Sequence, residues 1–493
     1  MKVIICFPPL NCKKGYPTLG QNRQFQYFKE PTYIYPIVPA YAATLLKENG
    51  FYVKWIDCIA ENINYSQFLE IIKEEKPDLI AFETKTPVVK QEWQIINDLK
   101  KIANNNNWNL ITVLFGDHVT ALPEESFKNS NVDFVLTGGD YDFLLLNLCE
   151  VLKKSQSFVD LEPGIWFKDK GEVKNTGKFK LNHNLDNFPF IDRELTKWWL
   201  YAYKNGNYRK TPGTYIMAGR DCWHRKEGGC KFCSWTTLYP TWRTRKVENV
   251  LDEIEYLINN YPIKEIMDDT GTFPAGEWLK EFCEGMIKRG LNKVVNIDCN
   301  MRFGAVDLEE YKLMKKAGFR LLLFGLESAN QKTLDRINKN LRVEIIIESC
   351  KLARKVGLYP HITIMFGYPW ESYQDAKRTL DLGKWLLKKG YAYTMQATIV
   401  IPYPGTSLFE ECKSKDLLYS YDWSYYDMKN PVMKLDFQPK KLLKLVQSMY
   451  SVSFHPEFIF RKIINIKNLD DIKYFWRAFL KVVGHIIDFK KNG

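Results

Sequence analysis

Three cysteines lie within twelve residues and form the pattern in the chain that is best suited to chemistry. Cys222, Cys230 and Cys233 are separated by seven and then two residues, in the pattern C-x7-C-x2-C. They follow an apolar segment, residues 214–218, that has the composition of a buried strand. Three thiolates on one loop are soft ligands that are costly to leave unsatisfied, so the loop is a candidate metal centre.

Two metals suit this loop, and the residues alone leave the choice open. Zinc takes four ligands in a structural site, and His224 is close enough in sequence to be the fourth. An iron–sulfur cluster of four irons takes three thiolates and leaves one iron open to another ligand. Three unligated cysteines are a further, weaker alternative.

Alternating strand and helix patterns surround the cysteine loop and would hold it in place. Six apolar strand segments follow one another between residues 214 and 401, and helical patterns separate them. Strands linked in this way form a parallel sheet, and six such units predict a partial (β/α)6 barrel over residues 212–412. Barrel active sites lie at the carboxyl ends of the strands, where the cysteine loop begins. Residues 413–493 predict a mostly helical extension.

Residues 1–160 show the same alternation and predict a separate α/β domain. Its strands read as continuous apolar runs, which is typical of a doubly wound, Rossmann-like parallel sheet that is buried on both faces. The turn-rich residues 161–211 predict a hairpin and a linker. The predicted strands of the first domain are residues 2–7, 52–57, 78–82, 109–115 and 132–136.

Composition and charge narrow the class of protein. The 493 residues are 45% hydrophobic, which suits a chain of several globular domains. The net charge of +12 is scattered and indicates a solvated surface, although such an excess also favours acidic ligands. Eleven irregularly spaced cysteines predict free thiols in a reducing cytoplasm. The first strand does not read as a signal peptide, and no apolar run reaches the roughly 18 residues of a membrane span.

The order of short motifs in the barrel domain resembles the radical S-adenosylmethionine (SAM) superfamily. That family usually spaces its cysteines as C-x3-C-x2-C, so this chain has four extra residues between Cys222 and Cys230. Five further motifs end successive strands in the order that the family shows. They are I-M-D-D-T at 266–270, N-M-R at 300–302, F-G-L-E-S at 324–328, M-F-G-Y-P at 365–369 and P-Y-P-G-T at 402–406.

The N-terminal domain resembles the cobalamin-binding domain of one subgroup of that superfamily. The resemblance covers residues 1 to about 412 and identifies the chain as similar to radical SAM enzymes that contain a cobalamin (B12)-binding domain. The matching segments are F-P-P at 7–9, the loop at 84–87, F-G-D-H-V-T at 115–120, P-E-E at 123–125 and T-G-G-D at 137–140.

The resemblance implies a role for residues in each motif. Cys222, Cys230 and Cys233 would be the catalytic set that ligates a [4Fe-4S] cluster. SAM would bind the open iron and contact Phe232, Asp268, Asp269, Arg302, Glu327, Tyr403 and Pro404. Cobalamin would contact loops at the carboxyl edge of the N-terminal sheet, at Pro8, Pro9, Thr84, Thr86, Gly116, Asp117, His118, Gly138, Gly139 and Asp140.

The axial ligand of the cobalt is a separate question. Cobalamin domains of the methionine-synthase kind supply a histidine from D-x-H-x-x-G after the first strand, but residues 10–24 contain no histidine. We therefore expect no histidine coordination from that loop. His118 is the nearest candidate, and a structural hydrogen bond is the competing role for it. A domain that has lost cobalamin and keeps only the fold is a further alternative.

The resemblance implies reductive cleavage of SAM to a 5′-deoxyadenosyl radical, followed by methylation of an unactivated carbon. Ring formation, rearrangement, or a radical SAM reaction without cobalamin are alternatives within the family. A zinc-stapled basic protein that binds nucleic acid or an anionic membrane is the alternative from another class. Measured iron and sulfide, against zinc, would separate these classes.

The expected partners are a small-molecule or lipid-like substrate and a reductant protein such as a ferredoxin or flavodoxin, without nucleic acid. The C-terminal tail is rich in aromatic and basic residues, which is compatible with peripheral contact to a membrane. Packing of the tail on the barrel as a helical cap is the favoured alternative.

Overall fold

Two parallel sheets organise the protein, whose structure is a computed structural model that describes residues 1–10, 12–18, 26–154 and 157–488. The loop at 10–24, for which no cobalt-binding histidine is expected, lies partly outside the described residues. The first sheet has seven strands and the second has six.

The N-terminal domain alternates strands with helices along the chain. Its elements are β1 (Lys2–Phe7), β2 (Tyr16–Pro17), β3 (Tyr27–Phe28), α1 (Ile37–Glu48), β4 (Tyr52–Asp57), α2 (Tyr65–Glu75), β5 (Leu79–Thr84), α3 (Val89–Asn105), β6 (Ile111–Gly116), α4 (Asp117–Ala121), α5 (Pro123–Asn129), β7 (Phe134–Leu136), α6 (Tyr141–Lys153), β8 (Ile165–Asp169) and β9 (Glu172–Asn175).

The strand order of this sheet is β4-β1-β5-β6-β7-β8-β9. The first five strands are parallel, so the predicted Rossmann-like doubly wound sheet is confirmed. The predicted hairpin is β8–β9, and it extends the same sheet by antiparallel pairing with β7. The chain adds β4 on one side of β1 and β5 on the other, so the strand order reverses between β1 and β5. Sheets of this kind bind ligands beyond the carboxyl ends of the strands at that point.

The second domain carries the cysteine loop. Its elements are β10 (Gly213–Ile216), β11 (Gly219–Arg220), α7 (Trp235–Leu238), β12 (Arg243–Thr244), α8 (Val247–Asn260), β13 (Glu265–Asp268), α9 (Glu277–Lys288), β14 (Asn296–Met301), α10 (Leu308–Lys316), β15 (Phe319–Glu327), α11 (Gln331–Arg336), α12 (Val343–Lys355), β16 (Tyr359–Phe366), α13 (Tyr373–Lys388), β17 (Thr394–Ile399) and α14 (Ser407–Ser414).

Six of these strands pair in parallel in the order β10-β13-β14-β15-β16-β17, which confirms the predicted partial barrel. Local sequence sets several helix starts. Asp307 caps α10 and Ser372 caps α13, each in a capping box with the acidic residue three positions later. The apolar residues of α8 recur at helical spacing and are buried against the sheet.

Three further helices form the predicted C-terminal extension. They are α15 (Pro439–Tyr450), α16 (Pro456–Ile463) and α17 (Leu469–Asp488). Two contacts fix α17 at its ends: Asp471 accepts a hydrogen bond of 2.6 Å from Arg209 Nε, and Asp488 accepts one of 3.1 Å from the backbone N–H of Lys29. Within the described ranges, none of the helices combines the length and apolar character that crossing a bilayer requires.

Candidate active site

The cysteine loop follows β10 at the carboxyl end of the barrel. Cys222, Cys230 and Cys233 are half-buried cysteines, outside any disulfide, that line one cavity of about 220 Å³. Within the described ranges, no three His, Cys, Asp or Glu side chains converge on a single point as ligands of one ion. A cubane cluster binds its cysteines through separate irons, so thiols spread around a cavity wall suit it.

The lengthened first part of the cysteine loop forms a turn that hydrogen bonds hold against the barrel. Residues Trp223–Glu227 make a 3-10 turn, which ends at Gly228 with φ +88°. His224 is buried, and its Nε2 lies 2.7 Å from the carbonyl oxygen of Asn338, while its Nδ1 lies 3.0 Å from Glu227. Both ring nitrogens of the histidine that zinc would need are therefore engaged by the protein.

The cavity collects side chains that the sequence analysis proposed separately. It is lined from the carboxyl ends of the barrel strands, because parallel strands end at one edge. The predicted residues on its wall are Cys222, Cys230, Phe232, Cys233, Asp269, Arg302, Glu327 and Tyr403.

Glu327 occupies an unusual backbone position at the end of β15. Its φ is +61°, and the register between β15 and β16 shifts between Gly325 and Glu327. Its carboxylate accepts a 2.8 Å hydrogen bond from Lys339 Nζ. A left-handed conformation at a residue other than glycine costs about 1–3 kcal/mol and is typical of functional sites.

Arg302 lies on the same wall and is held by two contacts. Its guanidinium stands 5.2 Å from the centre of the Trp223 ring, and its Nη2 donates to the carbonyl oxygen of Lys339 at 2.5 Å. Trp223, on the cysteine loop, thus helps to position Arg302. Lys339 contributes both its ammonium group and its carbonyl oxygen to the site.

Two predicted SAM residues do not reach the cavity. Asp268 is fully buried, and its carboxylate accepts hydrogen bonds from the backbone N–H groups of Ala218 at 2.7 Å and Thr270 at 2.9 Å. Burial, opposed by these bonds, raises the pKa of Asp268 to about 6. Pro404 is not among the lining residues, although its neighbour Tyr403 is. Asp268 therefore shapes the loop, and contact of Asp268 and Pro404 with SAM stays a prediction that the cavity lining does not support.

Sequence reasoning missed several residues of the site. Lys339 and Thr272 line the cavity, and Thr272 Oγ1 lies 2.9 Å from Cys222 Sγ. Arg225 also lines it, next to the cysteines, and makes a bidentate ion pair with Asp221. The one available sequence signal for Arg225 was its position as a basic residue inside the expanded cysteine loop. Lys339 gave no such signal, because it is far from that loop in sequence.

The loops of the N-terminal sheet contain a buried charge cluster at the edge that faces the barrel. Lys85 Nζ lies 3.7 Å from Glu83 and 3.9 Å from Asp117, and all three side chains are largely inaccessible. Burial favours the neutral amine, but Asp117 and Glu83 raise the pKa of Lys85. Gly116 lets β5 approach, because a Cβ there would lie 2.3 Å from the carbonyl oxygen of Thr84.

His118 is enclosed by protein. It is 1% exposed, its Nδ1 lies 3.2 Å from Thr86 Oγ1, and its Nε2 lies 3.2 Å from Glu125. The ring of Trp423 covers it edge-on at 5.4 Å and donates its own indole N–H to Glu125. These contacts agree with a structural role for His118, which is the alternative to contact with the cobalt.

Residues 138–140 join the two domains. A Cβ at Gly138 would lie 2.4 Å from the ring of Phe179, and one at Gly139 would lie 1.9 Å from the ring of Tyr239. Asp140 accepts hydrogen bonds from Arg220 at 2.7 Å and from Arg243 at 2.6 Å. Protein packing fills the space beside these glycines, so contact of this loop with cobalamin stays a prediction that the packing does not support.

A cleft of about 660 Å³ opens at the carboxyl ends of β1 and β4. Pro9 is on its wall, whereas Pro8 is buried. The cleft has the volume of an ordinary ligand site and lies beside the reversal point of the sheet, so this edge fits part of a large cofactor. Its wall includes Pro9, Leu10, Cys58, Ile59, Asn64, Gln91 and Gln94.

Comparison with known proteins agrees with this geometry. The Radical SAM superfamily matches residues 216–383, which span the barrel from β10 to α13. A protein named as an uncharacterized methyltransferase of Pyrococcus horikoshii is 29% identical over 461 residues, which is 92% of each chain.

Two solved structures share the fold. The cobalamin-dependent SAM radical enzyme OxsB, with aqua-cobalamin and SAM bound, has a TM-score of 0.71 at 16% identity, over 99% of this chain and 72% of its own. The radical SAM methyltransferase TsrM of Kitasatospora setae, with cobalamin and its cluster bound, has a TM-score of 0.63 at 15% identity, over 84% of this chain and 75% of its own. Residues 216–383 therefore match the Radical SAM superfamily, and the chain has the fold of these two cobalamin-dependent enzymes.

Proposed function

We propose that the protein is a cobalamin-dependent radical SAM methyltransferase that methylates an unactivated carbon. The observation that carries this proposal is the shared cavity, which is lined by three cysteines together with the Glu327–Lys339 pair and Arg302. The name of the Pyrococcus relative supports methyl transfer as the reaction.

Cys222, Cys230 and Cys233 hold the cluster in this proposal, and the soft thiol donors on one cavity wall fit iron and sulfide. When bound, the cluster and cobalamin supply the electron that cleaves SAM and the methyl group that is transferred. Arg225 places a cation beside the thiolates, and Asp221 holds it through two hydrogen bonds.

The cavity wall suits the amino-acid end of SAM. Glu327 would accept hydrogen bonds from the ammonium, and Lys339 and Arg302 would pair with the carboxylate. The existing ion pair holds both partners before SAM arrives, which lowers the ordering cost of binding. Phe232 and Tyr403 would pack on the adenine, and Asp269 would accept a hydrogen bond from a ribose hydroxyl.

Cobalamin would bind at the carboxyl edge of the N-terminal sheet. The cleft beside Pro9 would take part of the cofactor, and the loop at Thr84–Thr86 with Asp117 would lie beneath it. Glu125 contacts His118 and is itself held by Trp423, so the His118 ring stays within the protein and would not reach the cobalt.

Partners follow from charge and surface. A net charge of +12 complements an acidic reductant such as a ferredoxin or flavodoxin. Ten of the eleven cysteines lie outside any disulfide, which supports a reducing, cytoplasmic setting. On α16 and α17, Phe460, Trp476 and Leu469 are 65%, 62% and 73% exposed, and this aromatic and aliphatic surface supports peripheral contact with a membrane.

The test is anaerobic reconstitution of the full-length protein with iron, sulfide and cobalamin, followed by reductant and SAM. We expect about four irons per chain, formation of 5′-deoxyadenosine, and uptake of cobalamin. Cys230→Ala should lose iron and 5′-deoxyadenosine, whereas Cys350→Ala, a change of a buried thiol on α12, should keep both. Zinc in place of iron, or cleavage activity that survives Cys230→Ala, would refute the proposal.

A further inference from the structure

A second cavity, which we call the lower chamber, lies at the opposite end of the barrel from the cysteines. Its volume is about 410 Å³. The barrel strands contribute residues near their amino ends, and α16 and α17 close it from outside. The barrel side includes Tyr215, Leu321, His361, Thr394 and Met395, and the helices contribute Phe458, Ile459, Ile463, Tyr474, Phe475, Ala478 and Val482.

The lower chamber adjoins the cysteine cavity along the barrel axis. Five residues line both spaces and form the boundary between them. They are Ile34, Asn207, Tyr215, His361 and Gln396. A molecule held in the lower chamber therefore lies next to the cavity where SAM is proposed to bind, with these side chains between the two.

One cation in this largely apolar chamber has a neutral partner. Lys481 Nζ donates a 2.6 Å hydrogen bond to Thr32 Oγ1. Among the described residues, no carboxylate lies within 4 Å of that nitrogen as an ion-pair partner. Burial and nearby Arg477 lower the pKa of Lys481 to about 7 against the opposing charge of Glu30, so an anion bound beside it would stabilise the charged form.

The other basic groups of the chamber are already satisfied or neutral. Lys462 Nζ lies 3.2 Å from the centre of the Tyr393 ring and donates to the carbonyl oxygen of Tyr393. Burial lowers the pKa of His361 to about 4 and that of His485 to about 3. Lys481 is consequently the group in the chamber that is best placed to bind an anion.

We propose that the lower chamber binds the substrate as an apolar body with one anionic group, a carboxylate or a phosphate, paired with Lys481. Apolar walls favour the body through burial of its surface, and the lysine fixes its direction. The acceptor carbon then lies at the end of the chamber beside Gln396 and His361, next to the cysteine cavity. This inference names a substrate class and rests on the proposed function.

Ligand binding to the reconstituted full-length protein tests the inference without turnover. Dodecanoate, dodecyl phosphate and dodecanol are compared by equilibrium dialysis at neutral pH. We expect one of the two anions, or both, to bind about tenfold more tightly than the alcohol, as one charge-assisted hydrogen bond predicts. The preferred anion distinguishes a carboxylate substrate from a phosphate one.

Lys481→Met should remove the preference for the anion and leave affinity for dodecanol unchanged. Ala478→Phe, which fills the chamber, should weaken all three ligands. The matched controls are Lys473→Met and Ile472→Phe, both on exposed positions of α17, and each should bind as the wild type does. Equal affinity for acid and alcohol in the wild type, or an anion preference that survives Lys481→Met, would overturn the inference.

Formation of 5′-deoxyadenosine is measured on the same preparations and separates the two proposals. Cleavage of SAM without selective ligand binding would refute the lower chamber as the substrate site and leave the proposed function standing. Selective binding without SAM cleavage would refute the proposed function and leave the anion site standing.

Discussion

Glu327 and Lys339 form a 2.8 Å ion pair in the cavity of the cysteine loop, and Gly325 makes the room for it. A Cβ at position 325 would lie 2.1 Å from Glu327 Oε1 and 2.6 Å from Lys339 Nζ. The pair presents one anion and one cation side by side, which is the complement of an amino-acid zwitterion.

Gly325→Ala should therefore separate the pair and weaken SAM binding by about tenfold or more. The measurement is equilibrium dialysis of SAM against reconstituted protein, with iron content as the check on the cluster. Lys339→Met should act in the same direction, and Lys332→Met, an exposed lysine on α11, is its control. Unchanged SAM affinity in both Gly325→Ala and Lys339→Met would remove the ion pair from the binding site.

The domain contact around Asp140 should depend on pH through His183. That ring stacks on Phe143 and lies 3.1 Å from Asp140 and 2.9 Å from Glu162. Burial opposes protonation, but the two carboxylates raise the pKa of His183 to about 9. The stabilisation is complete below the unfolded pKa of about 6.5 and is lost as pH rises through the folded value.

His183→Gln should accordingly lower thermal stability at pH 6.5, by on the order of 2 kcal/mol, and the gap from wild type should close above pH 9. Melting temperatures of both proteins at pH 6.5, 8 and 9.5 check this expectation. A gap that is constant across this range would show that the imidazole contributes through packing on Phe143 alone.

Cobalamin should bind without a protein imidazole on the cobalt. His118 is enclosed by Thr86, Glu125 and Trp423, so its ring nitrogens face protein atoms. The electron paramagnetic resonance spectrum of the cob(II)alamin-loaded protein should lack nitrogen hyperfine splitting from histidine. His118→Gln should leave that spectrum unchanged, and splitting that vanishes in the variant would contradict the prediction.

The exposed aromatic residues of α16 and α17 should mediate binding to vesicles. Burial of two large aromatic side chains contributes several kcal/mol, so Phe460→Ser combined with Trp476→Ser should weaken binding more than about tenfold. Co-sedimentation with vesicles that contain phosphatidylglycerol measures this. Tyr419→Ser combined with Tyr421→Ser, at exposed sites outside these helices, is the control. Equal loss in both double variants would refute a specific membrane face.

Much of the fold could be predicted because local patterns encode it. Strand β1 has the predicted bounds, since a continuous apolar run is unambiguous over this length. Strand β6 begins at Ile111, two residues later than predicted, because β propensity alone does not set where pairing begins.

The candidate site was harder to predict, because its contacts join distant segments. Asp268 and Asp269 are adjacent, yet only Asp269 lines the cavity, and neighbouring residues of extended chain point to opposite sides. Lys339 lies between α11 and α12, where no strand-end motif marks it as a residue of the site. Gly139 is predicted to contact cobalamin, and the sequence does not reveal that Tyr239, a hundred residues away, occupies the space beside it.

The proposed tasks fall on opposite ends of the barrel. Residues proposed to hold the cluster and SAM lie at one end, and those proposed to select the acceptor lie at the other, mostly on α16 and α17. Evolution can therefore exchange or remodel the tail helices, and so change which molecule is modified, while the apparatus that generates the radical is inherited intact. A redesign of specificity in this scaffold should begin with those two helices.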